Sequence, residues 1–210
     1  MLDFSILIGG ASGEGIDTSS VTISKILNSL GYNIYVYRDY PSLIRGGHTF
    51  AVIRASKDKI FNHNNKIDII LALNKDTIDL HKDKHKDDTI IIFDSNKIKS
   101  DIGIGISIKD ILKEEKALPI LANSILIGAL IKAMGIDFEI LEEVFKKKYK
   151  KHLEQNIKVA KRGCDLTETK FSLKEVSKER RAILTGNDAV CLGLIKANAK
   201  SYISYPMTPA

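Results

Sequence analysis

The chain has 210 residues, of which 44% are hydrophobic and 28% charged, with a formal net charge of +6 and two cysteines. Such a chain can bury one substantial core and begin a second. It has no uncharged apolar run of about 18 residues and no basic leader, which excludes a membrane span and a signal peptide and points to a soluble, cytoplasmic protein. Cys164 and Cys191 stand apart, without the paired spacing of zinc or iron–sulfur ligands, so any cluster is expected on another chain. The excess charge sits in Lys146-Lys147-Lys148-Tyr149-Lys150-Lys151 and in the mixed stretch 81–88. Neither has an aromatic platform or a nucleic-acid module, so nucleic-acid binding is set aside; a basic surface instead suits an acidic partner protein or an anionic substrate.

Residues 3–8 form an apolar strand, followed by the glycine-rich loop Gly9-Gly-Ala-Ser-Gly-Glu-Gly15. A helical period runs over 16–30 and Gly31 stops it. Strands follow at 33–38 and 48–55, separated by a loop at 39–47. Continuous apolar runs at 67–73 and 89–93 read as strands covered on both faces of a parallel sheet. After the glycines at 103 and 105, helices are expected at 122–134, 137–147 and 152–163, with Asp137 as N-cap and Gly135 and Gly163 as stops. Residues 1–165 thus read as one α/β domain with a mostly parallel, Rossmann-like sheet flanked by helices, and 166–180, charged and without a period, as a linker.

The strand, glycine loop and helix invite three chemistries. Gly10 to Gly15 has P-loop glycine spacing, but Ile16-Asp17 replaces the Lys and Ser or Thr that phosphate binding needs, which argues against nucleotide hydrolysis. Ser12 lacks the Gly two residues later that a nucleophile elbow requires. Gly13-Glu-Gly15-Ile-Asp-Thr18 resembles a dinucleotide fingerprint with its third glycine lost, and Asp39 stands where a ribose-binding acid would lie, so a dinucleotide-binding or regulatory module remains an alternative. The loop Ser42-Leu-Ile-Arg-Gly-Gly-His48 presents Arg45 between small residues, suited to a phosphate or carboxylate. The plainer reading is that these glycines only make tight turns, that Arg45 and Arg54 serve subunit contacts, and that the domain is a docking module. His81 and His85, four apart with Asp83 and Asp87 beside them, allow a surface metal site to be drawn if the segment is helical, but the lysines beside them argue against it and no metal site is expected. His48 reads as a hydrogen-bonded strand residue, and Asn123 and Ser124 as helix caps.

From 181 onward a second unit begins: a strand at 182–185, a turn and cap at Gly186-Asn187-Asp188, a helix at 189–197 and a strand at 201–205. A β-α-β unit of this size buries little alone, so the chain reads as a fragment. Pro206 and Pro209 hold Thr208 in a rigid turn just past a strand, where open α/β sheets place ligands. Gly186-Asn187-Asp188-Ala189 followed by Tyr205-Pro206-Met207-Thr208-Pro209 resembles the opening of the α subunit of thiamine-diphosphate-dependent 2-oxoacid:ferredoxin oxidoreductases. Residues 4–56, with the glycine loop, Ser42 to His48 and Val52-Ile-Arg54, are similar to the γ domain of the same family, which many members fuse ahead of α.

The resemblance implies domain limits of 1–165 (γ), 166–180 (linker) and 181–210 (start of the α-subunit pyrimidine-binding domain). It assigns Thr208 to contact with the 2-oxoacid, and Gly13, Gly15, Ser42, Arg45 and Gly47 to a coenzyme A surface. Thiamine diphosphate, Mg²⁺ and iron–sulfur clusters would be held by partner subunits, among them a thiamine-binding β subunit, with ferredoxin as electron acceptor. The chain alone would be inactive and would hold no cofactor tightly.

Overall fold

The computed structural model describes residues 1–39 and 47–205. The first strand, β1 (Asp3–Ala11), is apolar on both faces, and Phe4, Ile6, Leu7 and Ile8 are all at most 1% exposed. A strand buried on both sides must lie inside a sheet with cover above and below. The sheet is completed by β2 (Asn33–Asp39), β3 (His48–Ser56), β4 (Ile67–Ala72), β5 (His85–Asp94) and β6 (Ile104–Ile106), in the order β2-β3-β1-β4-β5-β6. β1, β4, β5 and β6 are mutually parallel, whereas β3 runs antiparallel to both β1 and β2.

This mixed sheet refines the expectation of a mostly parallel, Rossmann-like sheet. β1 and β2 flank α1 (Ile16–Ser29) in sequence, yet β3 is inserted between them. Because β2 and β3 form an antiparallel pair, both ends of segment 40–47 lie at the C-terminal edge of β1: Asp39 pairs with Phe50, and His48 pairs with Ala11. A parallel β3 would instead have started at the opposite edge. At that opposite edge, Asp68 is 7% exposed, accepts from the Ser5 N–H at 2.8 Å and pairs with Lys86 at 2.6 Å, tying β1, β4 and β5 together.

One sheet face is covered by α1, α4 (Ala122–Ala133), α5 (Phe138–Lys148) and α6 (Leu153–Asp165). The other carries a smaller cluster built on Leu7, Val52, Ile70 and Phe93, with Ile78 of the short α2 (Lys75–Asp79) packed against it. α4 is mostly apolar and largely interior: Ile125, Leu126, Ile127, Leu130 and Ile131 are at most 1% exposed, each such side chain contributing about 1.5–3 kcal/mol. It crosses α6 at two reciprocal close approaches. A Cβ on Gly128 would meet the Ala160 carbonyl oxygen at 1.9 Å, and one on Gly163 would meet that of Ile125 at 2.0 Å. Gly163 is therefore a packing glycine inside α6, not the stop expected from the sequence.

Gly31 and Gly135 do end α1 and α4 in left-handed geometry, with φ of 87° and 60°. Segment 170–177 lies across both. Lys170 and Phe171 N–H groups donate to Ala133, Leu173 N–H to Met134 and Val176 N–H to Leu30, while Ser177 backbone passes directly over Gly31. The region expected as a linker thus follows the domain surface for much of its length. α3 (Ile108–Glu114) and β6 are additional elements, short and flanked by glycines or charge, which left no readable period.

Beyond residue 181 the described residues contain one regular element, α7 (Gly186–Lys196). Its cap is Thr185, one residue before the expected turn: Thr185 Oγ1 accepts from Asp188 N–H and the Asp188 carboxylate accepts from Thr185 N–H, a complete capping box. Residues 182–185 and 201–205, expected as strands, pair with nothing in the described sheet. A strand exists through its ladder partners, so apolar sequence alone does not form one. Thr208, Ser42 and Arg45 lie outside the described residues.

Candidate functional site

The glycine loop opens into a cleft of about 540 Å³ bounded by the loop itself, by the start of α4 and by the turn between α5 and α6. Three helices point their N-termini into it. The N-caps of α1, α4 and α6 are Gly15, Leu121 and His152; all three line the cleft, and none makes a side-chain cap hydrogen bond. Helix N-termini carry partial positive charge, although at α4 the preceding turn continues into the helix and the Ala122 N–H already donates to the Pro119 carbonyl. Lys97 and Lys151 add full charges to the walls, Leu73, Ile120 and Tyr149 supply apolar surface, and among the described lining residues Glu14 is the sole acid.

The loop glycines divide by what they approach. Gly13, at φ 91°, would place a Cβ in open space, so its freedom serves the backbone turn and leaves its face clear. Gly15, at φ 77°, would place a Cβ 2.9 Å from Asn123 Nδ2. Asn123 is no cap: its amide donates to Glu14 O at 2.8 Å and Ser19 Oγ at 3.0 Å, binding α4 to the loop. Ser124 likewise reaches sideways, donating to Asn156 Oδ1 at 2.6 Å, and Asn156 Nδ2 donates to the His152 carbonyl. These cross-helix bonds are invisible in sequence, because Asn and Ser near a helix start read most simply as caps. Gly47, at φ 74°, precedes the His48 that pairs with the end of β1, so it stands beside the same loop.

The dinucleotide alternative does not fit this geometry. Its ribose-binding acid requires β2 beside β1, and here β3 separates them. Two acids also occupy the loop region: Glu14 within it, and Asp17 in the first turn of α1, paired with Arg38 at 2.8 Å. Arg54 is engaged within the chain, through Asp3 at 2.6 Å and Asn62 Oδ1 at 2.7 Å.

His81 and His85 do not share a helix face. His85 opens β5, while His81 is 4% exposed and turns its Nε2 to within 2.9 Å of His48 Nε2. Phe50 packs against both rings, and each Nδ1 is buried without a hydrogen-bond partner among the described residues. Burial first, then Lys84 and the facing His48, push His81 down to about 4, and burial lowers His48 as well. Lys148, whose Nζ donates to Thr18 O at 2.7 Å, is also lowered by burial, to about 8. Among the described residues no group of three His, Cys, Asp or Glu could hold a metal, Cys164 is buried and Cys191 exposed; they do not fit an iron–sulfur cluster or a Mg²⁺ diphosphate site.

The family model described as pyruvate ferredoxin/flavodoxin oxidoreductase matches residues 5–166. A 2-oxoacid:ferredoxin oxidoreductase subunit alpha from Sulfolobus sp is 28% identical over 255 aligned positions, covering 97% of this chain and 40% of that protein. The 2-oxoglutarate synthase subunit KorC of Archaeoglobus fulgidus is 27% identical, covering 78% of this chain and 88% of its own length. Among solved structures, 2-oxoglutarate:ferredoxin oxidoreductase from Magnetococcus marinus, with 2-oxoglutarate, coenzyme A and succinyl-CoA bound, aligns with 100% of this chain and 40% of its own at a TM-score of 0.84 and 28% identity. A keto/oxoacid ferredoxin oxidoreductase gamma subunit from Geobacter sulfurreducens shares the fold over 78% of this chain and 95% of its own, at a TM-score of 0.67 and 19% identity. The chain therefore spans about 40% of the longer relatives it matches.

Proposed function

The chain belongs to the pyruvate ferredoxin/flavodoxin oxidoreductase family, and from that premise we propose that it forms the γ domain and the opening of the α portion of a cytoplasmic 2-oxoacid:ferredoxin oxidoreductase. The domain limits are 1–165 for γ, 166–180 for the connection and 181–210 for the start of α. A separate γ subunit that covers 78% of this chain supports the first limit. The observation that carries the reading is the chain-long match to an oxidoreductase with coenzyme A bound, taken with a cationic cleft at the glycine loop.

The whole enzyme would oxidatively decarboxylate a 2-oxoacid, pass the electrons to ferredoxin and transfer the acyl group to coenzyme A. Thiamine diphosphate with Mg²⁺ supplies the carbon chemistry and iron–sulfur clusters the electron path, all held by partner subunits. This chain's share is binding and orientation. Gly13 leaves backbone open to the cleft, and Lys97 and Lys151 supply charge for the coenzyme A phosphates. Ser42, Arg45 and Gly47 are assigned to the same surface by family resemblance; Gly47 supports this by preceding His48, which pairs with Ala11 at the end of β1. Thr208 is assigned to contact with the 2-oxoacid by family resemblance.

Calorimetric titration of the chain tests the binding part. Coenzyme A should bind and NAD should not, and Arg45→Ala should weaken coenzyme A about tenfold, as expected for one charge-assisted contact. Tight NAD binding that Asp39→Ala abolishes would overturn the assignment.

A further inference from the structure

The glycine loop already holds an anion, and that anion is its own. Glu14 folds back over the loop so that its Oε2 accepts the Ala11 N–H at 2.8 Å, and its Oε1 pairs with Lys97 Nζ at 2.7 Å. The fold makes room for it: a Cβ on Gly10 would stand 2.6 Å from Glu14 Oε2. A loop N–H together with a lysine ammonium is the donor set with which such loops hold phosphate. Here the Glu14 carboxylate engages both donors, at a point where Gly13, Glu14 and Lys97 all line the cleft. The pair is built to exchange, since the Lys97 side chain is 49% exposed and that of Glu14 28% exposed, and an ion pair so solvated is weak.

We propose that Glu14 is an internal stand-in for a ligand phosphate, a specificity-determining residue that an incoming phosphate group must displace from Ala11 N–H and Lys97. The proposal rests on the reading of the cleft as the coenzyme A surface and adds a selection rule to it. A singly charged group would only exchange one anion for an equal one. A phosphomonoester or diphosphate brings more charge and more acceptor oxygens, so it displaces the carboxylate and turns it towards solvent. Ligands without phosphate gain nothing from the loop.

Titration of the 210-residue chain with coenzyme A, inorganic pyrophosphate and pantetheine, across Glu14→Gln, Lys97→Gln and the double variant, tests this. Glu14→Gln should tighten coenzyme A and pyrophosphate about fivefold, the scale of one exposed ion pair, and leave pantetheine unchanged. Lys97→Gln should weaken both phosphate ligands and erase the Glu14→Gln gain in the double variant. Independently of any variant, the Ala11 amide signal of the wild-type chain should shift on adding coenzyme A, because its acceptor changes. If coenzyme A binds but Glu14→Gln leaves it equal or weaker, or the Ala11 amide does not move, the stand-in role is overturned and the cleft assignment survives. If no phosphate ligand binds to any form, the cleft assignment fails and the stand-in role with it.

Discussion

Two glycine-containing helical regions of this chain behave in opposite ways. Where α4 crosses α6, Gly128 and Gly163 each admit a backbone carbonyl that a methyl group would strike, and almost every neighbour is buried. In α7, a Cβ added at Gly186 or Gly193 would meet nothing within 4 Å among the described residues, no residue is buried, and Val190, Leu192, Leu194 and Ile195 are all exposed. α4 and α7 are both apolar and rich in small residues. One is held by tertiary packing, the other among the described residues by its capping box and its own hydrogen bonds. Hydrophobic sequence supplies the capacity for a core, and only a facing surface turns it into stability.

The comparison breaks most sharply at the crossing. Gly128→Val should cost about 3 kcal/mol or more, since a Cβ 1.9 Å from the Ala160 carbonyl forces the helices apart; a denaturant titration followed by circular dichroism would show it. A loss below 1 kcal/mol would mean that α4 and α6 do not approach so closely.

Acidification comes next. His81 and His48 have folded-state affinities for protons below that of an unfolded histidine, so the unfolded chain binds more protons between pH 6.5 and about 4. Stability should therefore be unaffected above pH 7 and fall as pH drops through that window, by on the order of 2–3 kcal/mol at pH 4. A double protonation would also set two N–H donors against each other across the 2.9 Å Nε2 contact. His81→Gln should flatten this part of the pH–stability profile; an unchanged slope would remove the pair as its source.

The smallest effects are expected in α7. Gly193→Ala should raise local helix stability by about 0.5–1 kcal/mol, because no neighbour opposes the methyl group. Thr185→Ala should lower it by about 1 kcal/mol through loss of the cap. Both would be read as changed amide-exchange protection within α7, with the melting of residues 1–165 unaltered.

These contrasts also mark how far sequence carries. The strands at 33–38, 48–55 and 67–73 and the three long helices were legible within a residue or two, because burial imposes a period or, as at 67–73, an unbroken apolar run. The insertion of antiparallel β3 was not, since periodicity reports which face a residue takes and never which strand lies beside it. Gly163 looked like a helix stop because a packing glycine and a capping glycine leave the same letter. Asn123 and Ser124 looked like caps for the same reason, and their real partners, Ser19 and Asn156, are 104 and 32 residues away. At the cleft, Gly13 and Gly15 stand in a glycine loop that the strand–loop–helix pattern makes visible, while their link to coenzyme A comes from family resemblance alone. Lys97 and Lys151 were not legible, as each sits in a charged stretch where no pattern separates a lysine facing a cleft from one facing solvent.

The central claim is tested most directly with the complete protein assembled with a thiamine-binding subunit, by measuring ferredoxin reduction as 2-oxoacid and coenzyme A are added in turn. The account predicts reduction that requires both additions and falls strongly in Thr208→Ala with assembly intact. Reduction indifferent to coenzyme A, or unchanged in Thr208→Ala, would contradict it.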